Sequence, residues 1–286
     1  MTVTRADVEQ AAERIAPFVR HTPVLRADAF DEWADASVYV KAEHLQRGGA
    51  FKYRGATNAV QSLSDTAASR GVAAHSSGNH AGALALAASV RGIPAYVVMP
   101  VDVAAPKLAA VERAGARITF CENSLEARRA KLAEVLDRTG AQEVHPFDDE
   151  RVIAGAGTAA LELLAEVSEL DVIVTPVGGG GLCSGTSISA APTSVVGAAP
   201  LNRATSIADG LRTGLSERTA AILRAHDVET VVVDEPQLVE AMRAVWEHLK
   251  QVIEPSAAVA FAAARGRGRV GVIASGGNVD LDALPF

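Results

Sequence analysis

Short apolar runs recur along this chain, and alanine-rich stretches separate them. The runs read as strands at 37–41, 71–75, 95–99, 116–120, 172–176, 194–198, 230–233 and 269–274. Between them, helical spacing marks 81–90, 125–138, 158–167, 236–250 and 255–265. Strand and helix in alternation leave few architectures open: parallel sheets whose strands are joined by right-handed helical crossovers. Composition agrees, because 49% of the 286 residues are hydrophobic and only 4% are aromatic. Small side chains of that kind pack closely between helices and fully covered strands. Residues 71–147 form a strand–helix series of their own. The expected fold class is therefore α/β with two parallel-sheet domains. The large one takes residues 1–70 plus 148–286, and the small one, 71–147, is inserted into it.

The same sequence narrows the function classes. Net charge is -7 and basic residues are scattered without an aromatic–basic motif, so nucleic acid is not an expected partner. No apolar run reaches membrane-spanning length, and the opening MTVTRADVEQAAERI is an amphipathic helix start with no signal-peptide apolar block. A cytoplasmic protein without a membrane partner is expected. Cys121 and Cys183 stand alone, with no CxxC, which argues against a disulfide framework or a thiolate metal site.

Chemistry in parallel sheets sits on the loops that follow strands, and four such loops carry candidate residues. In Gly48-Gly49-Ala50-Phe51-Lys52-Tyr53-Arg54-Gly55, a glycine pair delivers one of only five lysines to a helix start at about residue 53. The positive potential there favours a neutral, nucleophilic amine; the alternative is an ordinary surface lysine. Ser76-Ser77-Gly78-Asn79-His80 joins a strand to a helix and offers hydroxyls and free N–H groups to a carboxylate; plain helix capping needs only one such residue. Val177-Gly178-Gly179-Gly180-Gly181-Leu182 exposes successive N–H groups that suit a phosphate. It has no GKS or GKT continuation, so it is not a nucleotide P-loop. Gly155-Ala156-Gly157-Thr158-Ala159-Ala160 matches a loose GxGxxA, but no acidic residue ends the next strand to hold a ribose. The last loop, Ser275-Gly276-Gly277-Asn278, places a hydroxyl after a strand; taken alone it is equally well a simple turn.

Taken in order, these loops resemble the β-family, fold type II, of pyridoxal-phosphate enzymes, and within it the serine/threonine dehydratases and serine racemases. The likeness runs through KAEHLQRGGAFKYRGA, HSSGNHAGALALAA, VHPFDDERVIAGAGTAALEL, PVGGGGLCSG, SIADGL, VIEPSAAVAFAA and ASGGNVD, essentially the whole chain. It implies the tryptophan synthase β-like fold and pyridoxal 5'-phosphate as cofactor. It further implies a small amino acid as substrate and a homodimer. Carried over position by position, Lys52 matches the Schiff-base lysine and Phe51 the ring packed on the pyridine. Asn79 matches the partner of the phenolic oxygen. Ser76, Ser77, Gly78, Asn79 and His80 match the substrate-carboxylate loop. Gly178, Gly179, Gly180, Gly181 and Leu182 match the phosphate cup, and Ser275 the hydroxyl at the pyridine nitrogen. A hydroxyl does not keep that nitrogen protonated as a carboxylate would, so β-elimination is the natural chemistry. The implied activity is a serine/threonine ammonia-lyase in which Lys52 removes the α-proton. Serine racemase, hydroxyaspartate dehydratase and a catalytically silent cofactor-binding relative are the alternatives. Ser77 matters for the choice: racemases of the family carry serine there and many threonine dehydratases alanine, so it is the candidate proton donor opposite Lys52.

Departures from the family pattern are few. Ala50 stands for the usual serine and Ala156 for the usual glutamine. Ala199 stands for a metal-ligating glutamate, and the ligand-bearing segment that follows it in relatives is missing. No metal is therefore expected. A regulatory C-terminal domain is not expected either.

Overall fold

The computed structural model describes residues 3–286 apart from Ser77, Ala104 and the side chain of Pro106. Among the described residues, ten strands form two sheets. In chain order they are β1 (Val24–Leu25), β2 (Ala36–Lys41), β3 (Val72–His75), β4 (Ala95–Pro100), β5 (Arg117–Cys121), β6 (Gln142–Glu143), β7 (Val172–Pro176), β8 (Ser194–Pro200), β9 (Glu229–Val233) and β10 (Gly268–Ile273). The larger sheet runs β1-β2-β10-β7-β8-β9 and the smaller β5-β4-β3-β6. Every pairing is parallel except β1 with β2. The chain leaves the larger sheet after β2, builds the smaller one, and returns at β7. We propose that residues 71–147, which hold the smaller sheet, form a small domain inserted between the two parts of the large one.

The larger sheet is apolar on both faces, as covered parallel strands must be. Side chains alternate along each strand, so Val172 and Val174 face one cluster with Val38, Val40, Val270, Val272 and Phe261. Ile173, Val195 and Ile273 face the other, with Leu163 and Leu182. Burying each such side chain contributes about 1.5–3 kcal/mol before chain entropy is counted. The smaller sheet repeats the pattern, with Ala73 and Val98 against the helix Leu125–Thr139 and Val72 and Ala74 against Leu84.

Some individual elements differ from the sequence reading. The two-residue strands β1 and β6 are too short to leave a periodic signal. The helix expected from 158 begins earlier, at Glu150–Glu166, capped by Asp149. Gly155 to Ala160 therefore lies inside that helix and is not a phosphate loop. Its glycines serve packing: a Cβ on Gly155 would come 2.7 Å from Gly55 Cα, and one on Gly157 2.7 Å from the Gly185 carbonyl. The helices Lys52–Gln61 and Gly181–Ala190 thus press against nearly opposite sides of one helix, two residues apart along it, which sets their mutual position.

Candidate active site

Lys52 opens the helix Lys52–Gln61. The preceding chain turns through Gly48 and Gly49 at φ of 73° and 74°, a left-handed pair that side chains disfavour. A Cβ on Gly49 would also strike Asn278 Oδ1 at 2.3 Å. The Lys52 amine donates to the Pro146 carbonyl at 2.7 Å and lies 5.0 Å from the centre of the Phe51 ring. Burial lowers its pKa to about 8, against a smaller upward pull from Glu254. Roughly a tenth of such amines are neutral at pH 7, against roughly three in ten thousand for an ordinary lysine.

The fourth loop interlocks with the first. Phe51 N–H donates to the Ser275 carbonyl at 3.0 Å and Gly277 N–H to Gly49 at 2.9 Å. Asn278 Nδ2 donates to the Gly48 carbonyl at 2.8 Å and to Asn79 Oδ1 at 2.9 Å. Ser275 itself is buried. Asn79, in the first turn of the helix Asn79–Arg91, donates through Nδ2 to Glu254 Oε1 at 2.7 Å. Ser76 Oγ accepts from Gly78 N–H at 3.3 Å, and the space where Gly78 would carry a Cβ is open. His80 turns away from that space: its Nε2–H donates to the Val144 carbonyl at 2.8 Å. Burial, then the nearby Lys52, lowers its pKa to about 3, so the ring is neutral. Ser77 lies outside the described residues.

The tetraglycine loop leads from β7 into the helix Gly181–Ala190, with Gly180 at φ 90°. Gly178, Gly179, Gly180, Gly181, Leu182 and Cys183 are all buried, and among the described residues their backbone N–H groups donate no hydrogen bond. Buried donors are almost always paired, so a row of them at a helix N-terminus calls for an anion. Neighbours close in from behind: a Cβ on Gly179 would come 2.4 Å from the Phe147 ring and one on Gly178 2.9 Å from the Gly210 carbonyl. An aldehyde-reactive amine and an anion cradle, joined by the Pro146-Phe147 segment, fit a cofactor that carries one aldehyde and one phosphate.

Two parts of this arrangement are not among the residues expected from the sequence. One is Glu254, buried at 8% exposure. Burial, then Asp209, raises its pKa to about 8, which keeps the carboxyl protonated at neutral pH. It precedes Pro255 at a helix start and reads as an N-cap, yet it makes no capping hydrogen bond. The other is the segment Val144 to Phe147, which touches His80, Lys52 and the glycine loop. Its only signal is the block VHPFDDER, to which the resemblance attaches no role.

The arrangement defines an α/β protein that holds a phosphorylated aldehyde. The chain matches the family described as pyridoxal-phosphate dependent enzyme over residues 15–276. It belongs to that family, and pyridoxal 5'-phosphate is its cofactor. It is 43% identical to the β-hydroxyaspartate dehydratase of Paracoccus denitrificans (strain Pd 1222), covering 99% of this chain and 98% of the relative. It is 40% identical to a serine racemase of Dictyostelium discoideum, covering 99% and 97%. Maize serine racemase superposes with a TM-score of 0.96 at 37% identity, covering 99% of this chain and 95% of that one. A threonine deaminase from T.th. does so with 0.90 at 35%, covering 97% and 99%. The fold is thus the tryptophan synthase β-like one that the resemblance implied.

No group of three or more His, Cys, Asp or Glu is arranged to hold a metal ion among the described residues. No helix among them is long and apolar enough to cross a membrane. We propose that turnover needs no divalent cation, since a hard cation requires several oxygen ligands. A chelator is expected to leave activity and melting temperature unchanged. Loss of activity on chelation, restored by magnesium, would contradict this.

Proposed function

We propose that this protein is an ammonia-lyase that converts a small hydroxy-amino acid, serine or threonine, into a 2-keto acid and ammonium. Elimination removes the β-hydroxyl as water, and hydrolysis then exchanges the amino group for oxygen. The observation that carries the reading is the row of buried, unpartnered amides from Gly178 to Cys183 together with a Lys52 amine whose pKa is about 8.

When bound, pyridoxal 5'-phosphate supplies an electron sink that acidifies the substrate's α-carbon. The residues do the rest. Gly178, Gly179, Gly180, Gly181 and Leu182 hold the phosphate through backbone N–H groups. Lys52 anchors the cofactor, and its neutral amine then takes the α-proton. Phe51 packs on the ring, and Asn79 meets the phenolic oxygen. Glu254, held neutral and bonded to Asn79, keeps negative charge away from that oxygen. Ser275 offers a hydroxyl to the ring nitrogen. Ser76, Ser77, Gly78, Asn79 and His80 form the substrate-carboxylate loop; with its imidazole turned inward, His80 contributes through its backbone. The proposal includes a homodimer in the cytoplasm, as for the family the sequence resembles.

A second reading, a hydroxyaspartate dehydratase, is favoured by the 43% identity to the Paracoccus enzyme; the serine racemase likeness favours a third, with Ser77 as proton donor opposite Lys52. One experiment separates them: the holoenzyme is incubated with L-serine, D-serine, L-threonine and hydroxyaspartate, and keto acid and enantiomer are assayed together. Keto acid from L-serine and L-threonine is expected. Turnover of hydroxyaspartate alone supports the second reading, and D-serine from L-serine without keto acid the third. No product from any of the four overturns all three.

A further inference from the structure

Arg203 lies just after β8, and its Nη1 collects three backbone carbonyls: Val177 at 2.8 Å, Leu211 at 2.8 Å and Thr213 at 3.2 Å. It is half-buried and forms no ion pair among the described residues. Three carbonyl oxygens on one cationic nitrogen resemble the oxygen set of a bound cation more than a surface contact. The guanidinium stays charged at any physiological pH, so this cation is covalently fixed and always present.

Val177 is the residue before the first glycine of the cradle. In a trans peptide unit the carbonyl and the following N–H point in opposite directions. Fixing the Val177 oxygen on Arg203 therefore aims the Gly178 N–H the other way. The same rule applies two residues on, where Thr219 Oγ1 donates to the Gly179 carbonyl at 2.9 Å and so aims the Gly180 N–H. Leu211 and Thr213 belong to the loop that backs Gly178, since a Cβ on Gly178 would lie 3.1 Å from Leu211 Cα. One side chain thus ties the cradle to its backing. Among groups that would supply these three contacts, a lysine ammonium could reach the carbonyls but an uncharged side chain could not replace the charge.

We propose that Arg203 is a positioning residue for the phosphate cradle, a built-in cation that orients the amides of the glycine loop toward a phosphate monoester. The proposal rests on the assignment of Gly178 to Leu182 as that cradle. It concerns the phosphate and not the aldehyde, so the two ends of the cofactor serve as internal controls.

The test measures binding of pyridoxal 5'-phosphate and of pyridoxal, which lacks the phosphate, to the apoenzyme by absorbance. Arg203→Met is expected to weaken the phosphate ester by roughly 10–100-fold, the usual cost of removing a partner that orients a ligand-binding set, while pyridoxal binding stays unchanged. Arg203→Lys is expected to recover most of the loss, because an ammonium can serve the same carbonyls. Equal weakening of both compounds, or no change for either, overturns the proposal. Circular dichroism and the melting temperature identify a variant that has lost its fold; in that case the Arg203→Lys protein alone decides, and failure to discriminate the two compounds as wild type does overturns it. Gly179→Ala tests the underlying assignment separately: if it leaves preference for the phosphate ester intact, the cradle reading fails whatever Arg203 does.

Discussion

Lys52→Ala is expected to yield a folded protein without covalently held pyridoxal 5'-phosphate and with no measurable turnover. The lysine combines the two roles assigned to it, anchor and base, so no other residue replaces it; Lys41 is committed to Glu162 and Glu166, and Lys107 to Asp209. Borohydride reduction of the wild-type holoenzyme should label Lys52, and label on Lys41 or Lys107 would falsify the assignment. Stability should move the opposite way. Burial lowers the folded-state pKa of Lys52 from 10.5 to about 8, so below pH 8 the fold carries a protonated amine that it disfavours. That cost diminishes as pH rises from about 8 and is gone above the ordinary lysine value of 10.5. The apo form of Lys52→Ala should therefore melt above the apo wild type at pH 7, and the difference should shrink as pH rises toward 10.5. A difference that grows with pH would show that the amine is stabilised as a cation.

Most of the fold is legible in the sequence because its strands are buried on both faces. Runs such as Val172 to Pro176 are continuous and apolar, and the strand there coincides with the reading at both ends. Where contacts distant in sequence override local preference, boundaries are harder to read. The helix from Glu150 carries Gly155 and Gly157 in its first half, residues that weaken a helical reading. Contact with the Lys52 helix and with Gly185 overrides that preference. The helix expected over 236–250 is also less regular. It runs Glu235–Ala244 and continues as a π-helical turn at Val245–Leu249, which Lys250 stops at φ 56°.

The site is legible where one residue type does something no other does. A lysine after two glycines and a run of four glycines after a strand both stand out. Glu254 does not, because its meaning depends on Asn79 and Lys52, which are 175 and 202 positions away. Pro146 is invisible for the same reason: a carbonyl acts at Lys52, and a carbonyl has no sequence signature. Arg203 looks like a surface residue in the stretch Leu201 to Ser206, and only the three carbonyls give it a role.

Arg54, two residues beyond Lys52, should be among the positions least tolerant of change. It is fully buried, and its guanidinium donates to Glu43 Oε2 at 2.7 Å and Oε1 at 2.8 Å. It also donates to Glu162 Oε1 at 2.6 Å and Oε2 at 2.7 Å. Two bidentate pairs on one fork saturate its strongest donors. Glu43 accepts further from Thr22 Oγ1 at 2.6 Å, and Glu162 pairs with Lys41 at 2.8 Å. Burial opposes the charge on Arg54, but the two carboxylates more than offset it and hold the guanidinium above its usual value. The network bolts the Lys52 helix to the turn after β2 and to the helix Glu150–Glu166. Removing one member leaves the fully buried Glu43 carboxylate without its partner, so Arg54→Met is expected to cost about 3–5 kcal/mol, read as a lower denaturant midpoint. Adding Glu43→Gln should recover part of that loss, because it removes the stranded charge. A single-variant cost under about 1 kcal/mol, the range of exposed ion pairs, would mean that water reaches the network. Additive costs in the double variant would mean that Arg54 and Glu43 act independently, and the Lys52 helix would then owe its position to the glycine contacts at Gly55 and Gly155 alone.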